Sequence, residues 1–101
     1  MPILTEKEFS KHVGTKFHTR LGDREVDLTL AEVKSYMPTT AEQGKMERFS
    51  VFFDGPADSF LPQQSLEMHH EAMGDFDIFL VPISNEKNVV RYEAVFNFFT
   101  R

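Results

Sequence analysis

The segment LEMHHEAMGD, residues 66–75, holds the densest group of chemically capable side chains in the chain. Two adjacent histidines, His69 and His70, stand among Glu67, Glu71 and Asp75. Imidazole nitrogens and carboxylate oxygens are the donor set for zinc, and a catalytic zinc takes three protein ligands with a fourth position open. What the segment can ligate depends on its conformation. In a strand, neighbouring side chains point to opposite faces, so His69 and His70 cannot share one ion. Glu67 and His69 can, with Glu71 as a third ligand. In a helix, Glu67, His70 and Glu71 would share a face instead. The remaining histidines, His12 and His18, lie on other elements, and no H-E-x-x-H pairing occurs. The plainer reading is a strand end whose polar groups face water, with His70 partly covered.

Other catalytic signatures are missing. No serine stands in a G-x-S-x-G elbow. The chain has no cysteine, which removes thiol nucleophiles, thiolate metal sites and disulfides. Asp54 and Asp58 flank Gly55-Pro56, but calcium loops need denser oxygen ligands, so a turn held by the Asp54 side chain is the better reading. The five glycines are isolated, so no phosphate-cradling loop forms. A net charge of −5 with scattered basic residues is a poor match for nucleic acid. No apolar run approaches the length of a membrane-spanning helix, and "MPILTEKEFSK" is not a signal peptide. These features fit a cytoplasmic chain.

The elements that must position these residues follow from periodicity. Thr5, with Glu8 three residues on, is a capping-box start for a helix over about 5–13, with Leu4 placed to staple onto Phe9. Phe9 and Val13 would share its buried face, and Gly14 suits its end. From Lys16 the period becomes two. Phe17, Thr19 and Leu21 alternate with His18 and Arg20, and Gly22-Asp23 is a hairpin tip. Val26, Leu28 and Leu30 continue the alternation, which slips before Val33 and predicts a bulge near Ala31–Glu32. "MPTTAEQGKME" reads as a polar loop. Phe49, Val51 and Phe53 share one face of the next strand, with Phe52 opposite, and Asp54-Gly55-Pro56 reads as its turn. Residues 57–62 form a loop, then Leu66 and Met68 alternate with Glu67 and His69. "DFDIFLVPI" is apolar on both faces from Ile78, which predicts a strand covered on each side and ended at Pro82. "SNEKN" is a turn, and Tyr92, Ala94, Phe96 and Phe98 share a face of the last strand.

Short turns between consecutive strands imply antiparallel order. The expected fold is therefore mainly β: a small antiparallel barrel or rolled sheet of six to seven strands. Its β-rich part runs over 16–99, with one N-terminal helix capping a mouth, in a single domain over 1–101. Eleven phenylalanines exceed what one small interior needs. Phe52, Phe60 and Phe99 fall off the inward phase and are candidates for an apolar contact face.

The order of "RFSVFFDGP", "LPQQSLEMHHEAMGDFDIFLVP" and "YEAVFN" resembles a bacterial domain-of-unknown-function family. Its pattern is F-S-x-x-F-x-G-P, then L-x-Q and an aliphatic-x-x-H strand, then G-x-F-x-x-F-L-V-P, then Y-E-A-x-F-N. The matches here are Phe49, Ser50, Phe53, Gly55 and Pro56; Leu61, Gln63, Leu66 and His69; Gly74, Phe76, Phe79, Leu80, Val81 and Pro82; and Tyr92, Glu93, Ala94, Phe96 and Asn97. Most are apolar strand positions and turn residues, a fold signature. His69, Glu93 and Asn97 are the polar exceptions. A polar network pinning the last strand to the Gly55-Pro56 turn would account for Glu93 and Asn97. The resemblance implies no activity and hints at an accessory of a phage-tail-like or other bacterial assembly.

The expected function is that of a non-catalytic binding or assembly module. It would need no cofactor, take a protein partner, and form a weak homodimer through an aromatic strand face. The competing class is a small metal- or ligand-binding enzyme using Glu67, His69, His70 and Glu71.

Overall fold

The structure, a computed structural model, describes residues 4–35 and 46–99, with side chains over 4–35 and 48–96. Helix α1 spans Glu6–Ser10. Six strands follow: β1 (Lys16–Leu21), β2 (Arg24–Ser35), β3 (Met46–Pro56), β4 (Gln64–His70), β5 (Gly74–Glu86) and β6 (Val89–Phe99). They close into a barrel in the order β1-β2-β3-β6-β5-β4, and every neighbouring pair is antiparallel. Closure removes the open edges that a flat sheet of these strands would leave. The loop expected around Pro38 and Gly44 lies outside the described residues.

Alternation decides what lies inside. Phe17, Val26, Leu28, Leu30, Phe49, Val51, Phe53, Leu66, Met68, Phe76, Ile78, Leu80, Val90, Tyr92 and Ala94 are buried and form one core. The phase slip in β2 is real: the register to β3 shifts between Leu30 and Glu32. Residue counts on the two strands differ there, which lets Val33 turn back toward the core it packs against. At the hairpin tip Gly22 has φ +62, a conformation glycine adopts without steric cost.

Both mouths are stopped by side chains. The Thr5 hydroxyl accepts from the Glu8 N–H at 3.1 Å and fixes the start of α1. At five residues α1 is too short to persist alone, and it is held by Phe9. That ring is fully buried, with centroids 5.4 to 6.4 Å from those of Phe17, Phe49, Phe76 and Phe96. The helix is shorter than the expected 5–13, so Val13 falls beyond it and is exposed rather than sharing the buried face of Phe9. At the other mouth, the segment joining β3 to β4 inserts Leu61. The Leu61 N–H donates to the Tyr92 hydroxyl at 2.9 Å, so a phenol inside the barrel satisfies a buried backbone donor.

Three expectations are corrected. Asp54, Gly55 and Pro56 are not a turn; they continue β3, in register with Arg91, Val90 and Val89. Pro82 does not end its strand. The β5–β6 register shifts between Pro82 and Ser84, and pairing resumes to Glu86, so the missing N–H of proline falls at an irregularity. The true turn is Lys87-Asn88, both with positive φ, as a two-residue hairpin requires. Finally, β5 is not covered on each side: Phe79 and Ile83 are exposed on the outer wall.

Candidate functional site

The histidine-rich segment lies at the end of β4, and its two imidazoles part company. His70 turns toward α1. Its ring lies 4.1 Å from that of Phe17 and 4.7 Å from that of His12, centroid to centroid. The N–H groups of Ala72 and Met73 both donate to His70 Nδ1 at 3.0 Å. An atom that accepts two hydrogen bonds carries no proton, so the ring is the neutral Nε2–H tautomer. Nε2–H then donates to Thr15 Oγ1 at 2.9 Å, whose own hydroxyl donates to the His12 carbonyl at 2.6 Å. Burial lowers the His70 pKa, the neighbouring His12 lowers it further, and Glu71 opposes them. His70 is thus a structural latch between the β4–β5 turn and the loop after α1.

His69 points to the outer wall. The strand registers set four residues in one row across it: Asp27 on β2, His18 on β1, His69 on β4 and Asp75 on β5. His18 Nδ1 lies 2.9 Å from Asp27 Oδ1, and His69 Nδ1 lies 2.8 Å from Asp75 Oδ1. A second row runs alongside it. Arg20 is opposite Glu25, Glu67 is opposite Asp77, and continuing the β1–β4 register sets Arg20 beside Glu67. Arg20 Nη2 donates to Glu25 Oε2 at 2.8 Å. His18, Arg20, Glu67 and His69 line a shallow recess of about 440 Å³. Five carboxylates face one guanidinium here, so the patch is negative at neutral pH. Among the described residues, no three histidine, aspartate or glutamate side chains already surround one point as a metal cage. Glu71 sits on the exposed turn after β4.

The other half of the wall differs. Phe79 and Val95 are 50% and 64% exposed. Phe79 precedes Val81 by two residues and Val95 follows Glu93 by two, and Val81 and Glu93 are register partners. Ile83 extends this strip along β5, and the half-buried Phe52 borders Glu93 from β3. Of the three phenylalanines expected off the inward phase, Phe52 lies here. Phe60 is exposed on the loop before β4, and the side chain of Phe99 lies outside the described residues. Phe79, Ile83 and Val95 are additions. Their outward phase is written in the alternation, but an apolar residue on each face of β5 gives no sign of which face is left open.

The polar network around Glu93 also departs from expectation. The Ser50 hydroxyl donates to Glu93 Oε2 at 2.7 Å, which ties β6 to the middle of β3 and not to Gly55-Pro56. The side chain of Asn97 is outside the described residues. The link near Gly55 is made by Arg91, which periodicity had not marked. Its Nε donates to Asp54 Oδ1 at 2.7 Å and its Nη2 to Asp54 Oδ2 at 3.0 Å, a bidentate pair, with Glu32 at 3.7 Å. The hydrogen bond to Asp54 is the first cause of the raised Arg91 pKa.

Among the described residues, no helix is long and apolar enough to cross a membrane. No curated protein and no solved structure matches the chain. A family model does match, over residues 4–96, which takes in α1 and the barrel through most of β6. The chain belongs to that family, the domain of unknown function DUF6916.

Proposed function

We propose that the chain is a non-catalytic binding module that docks a protein partner through the apolar half of its wall. In this reading it serves as an accessory subunit of a bacterial assembly, phage-tail-like or other. The observation that carries the proposal is the exposed strip of Phe79, Ile83 and Val95 beside Phe52. Large apolar side chains clustered on one face of a small domain are unusual unless something covers them. Strands supply a rigid platform for such contacts, and aromatic anchors dominate interface energies. Buried polar groups do not argue for chemistry. No buried side-chain nitrogen or oxygen lacks a hydrogen-bond partner among the described residues, and His70 is fully engaged in holding the fold.

The test compares the native protein with a Val95→Asp variant, each expressed in its own cell and released under mild conditions. Wild type elutes in a complex larger than its 11.7 kDa chain, and the variant elutes as the free chain. Elution of both at the size of the free chain would reject the proposal. A homodimer is the simplest partner, and sedimentation of the purified chain over a range of concentrations separates self-association from a second protein.

A further inference from the structure

We propose that His18 and His69 are the two imidazole ligands of a divalent transition-metal site that bridges β1 and β4 on the outer wall. Each ring has its Nδ1 within 2.9 Å of an aspartate, Asp27 for His18 and Asp75 for His69. A carboxylate at Nδ1 holds a proton there, so that Nε2, which faces Glu25 in His18 and Glu67 in His69, can give its lone pair to a metal that takes those carboxylates as well. It also raises the donor strength of that nitrogen, the arrangement that commonly supports metal-bound histidines. Here it occurs twice, in one row, on rings that are direct register partners.

The two rings also stand at nearly the right distance. A tetrahedral zinc with Zn–N near 2 Å holds two imidazole centroids about 5 Å apart. The two centroids stand 6.2 Å apart, so about an ångström of side-chain rotation closes the pair. Both side chains are 40% exposed and have room to make it. Further ligands are near. Glu25 Oε1 is 3.3 Å from His18 Nε2, and Glu67 Oε1 is 3.7 Å from His69 Nε2. Either carboxylate can rotate in as a third ligand, and water completes the shell. The negative field of the two rows favours a cation. Imidazole nitrogens select zinc, copper or nickel over magnesium or calcium. Arg20 opposes the cation, as does Lys16 two residues from His18 along β1; the metal displaces the Arg20 guanidinium from Glu25.

The location gives the site a consequence. The β1–β4 pairing that closes the barrel has two residue pairs in register, His18 with His69 and Thr19 with Met68. The buried Thr19 hydroxyl donates to the Glu67 carbonyl at 2.8 Å and is the seam's one side-chain hydrogen bond among those described. A metal across His18 and His69 clamps the barrel where it is joined least. A ligand that binds only the folded chain raises its stability by mass action.

The test titrates metal-free protein with zinc by calorimetry and with copper by electron paramagnetic resonance. One equivalent binds, copper shows coupling to two imidazole nitrogens, and zinc raises the melting temperature. His18→Asn and His69→Asn each weaken binding by about tenfold or more and remove the thermal shift. Asp27→Asn weakens it by less, Arg20→Gln strengthens it, and His12→Asn leaves it unchanged. The absence of saturable binding of one equivalent would overturn the proposal. So would undiminished affinity in His69→Asn, or an equal loss in His12→Asn.

Discussion

The outer wall of the barrel is two surfaces built on one rule. Along β1 and β4 the outward positions are His18, Arg20, Glu67 and His69, flanked by Glu25, Asp27, Asp75 and Asp77. From Phe79 onward along β5, and on β6, Phe79, Ile83 and Val95 point outward, with Phe52, Glu93 and Arg91 beside them. Alternation holds in both halves, apart from the register shift between Pro82 and Ser84, and the interior behind both is one continuous core. The difference therefore owes nothing to the demands of the fold. A strand needs an apolar inner face; it does not need an apolar outer one. The charged half keeps the exterior solvated, while the apolar half carries a cost in solubility that a binding partner would offset.

The core is common to both halves, so a core substitution weakens both. Phe9→Ala removes the ring that stops one mouth of the barrel, and should cost about 3–5 kcal/mol in urea unfolding. A smaller loss would mean that α1 is not essential to the core. Gly55→Ala comes next. A Cβ there would lie 2.5 Å from a Leu28 methyl that is itself fully buried, and 3.4 Å from the Tyr92 ring. Leu28 has to move within a closed core, so the variant should lose about 1–3 kcal/mol.

Acid titrates the latch beneath the charged half. The folded chain holds His70 neutral, with its pKa lowered by burial. The unfolded chain takes up the proton first as pH falls. Stability from this group is therefore complete above the ordinary histidine pKa of about 6.5, and is lost as pH drops from there through the lowered folded value. Unfolding measured in chelator over that range should show the decline, and His70→Gln should flatten it while lowering stability throughout. At the small end, Thr5→Ala should cost about 1 kcal/mol through loss of the helix cap. Val95→Asp, on the open wall, should alter unfolding by no more than about 0.5 kcal/mol. A residue nearly silent in stability would then be the one on which the proposed association depends.

What the amino-acid sequence discloses of the fold follows from the range of each interaction. The local features could be read directly. Thr5 and Glu8 marked the cap, Gly22-Asp23 the hairpin, and the odd step before Val33 the bulge. Each depends on residues within a few positions. The long-range features could not. Nothing in the alternation says that β3 lies beside β6 or that β1 closes on β4, so Asp54 gave no hint of Arg91 and His18 none of His69. Pro82 misled for a physical reason. A residue without an N–H is a sound marker of strand ends unless the register slips beside it, as it does here. Phe79 misled in another way, because a residue destined for an open face and one destined for a covered face carry the same chemistry.

Whether the β5–β6 half of the wall is a contact surface can be read from a photo-crosslinking side chain placed at Val95 and, separately, at Asp77. The experiment belongs in the cell that makes the protein. Adducts to a defined protein, this chain or another, from position 95 and none from position 77 are predicted. Adducts from position 77 alone, or from neither position, would contradict the claim.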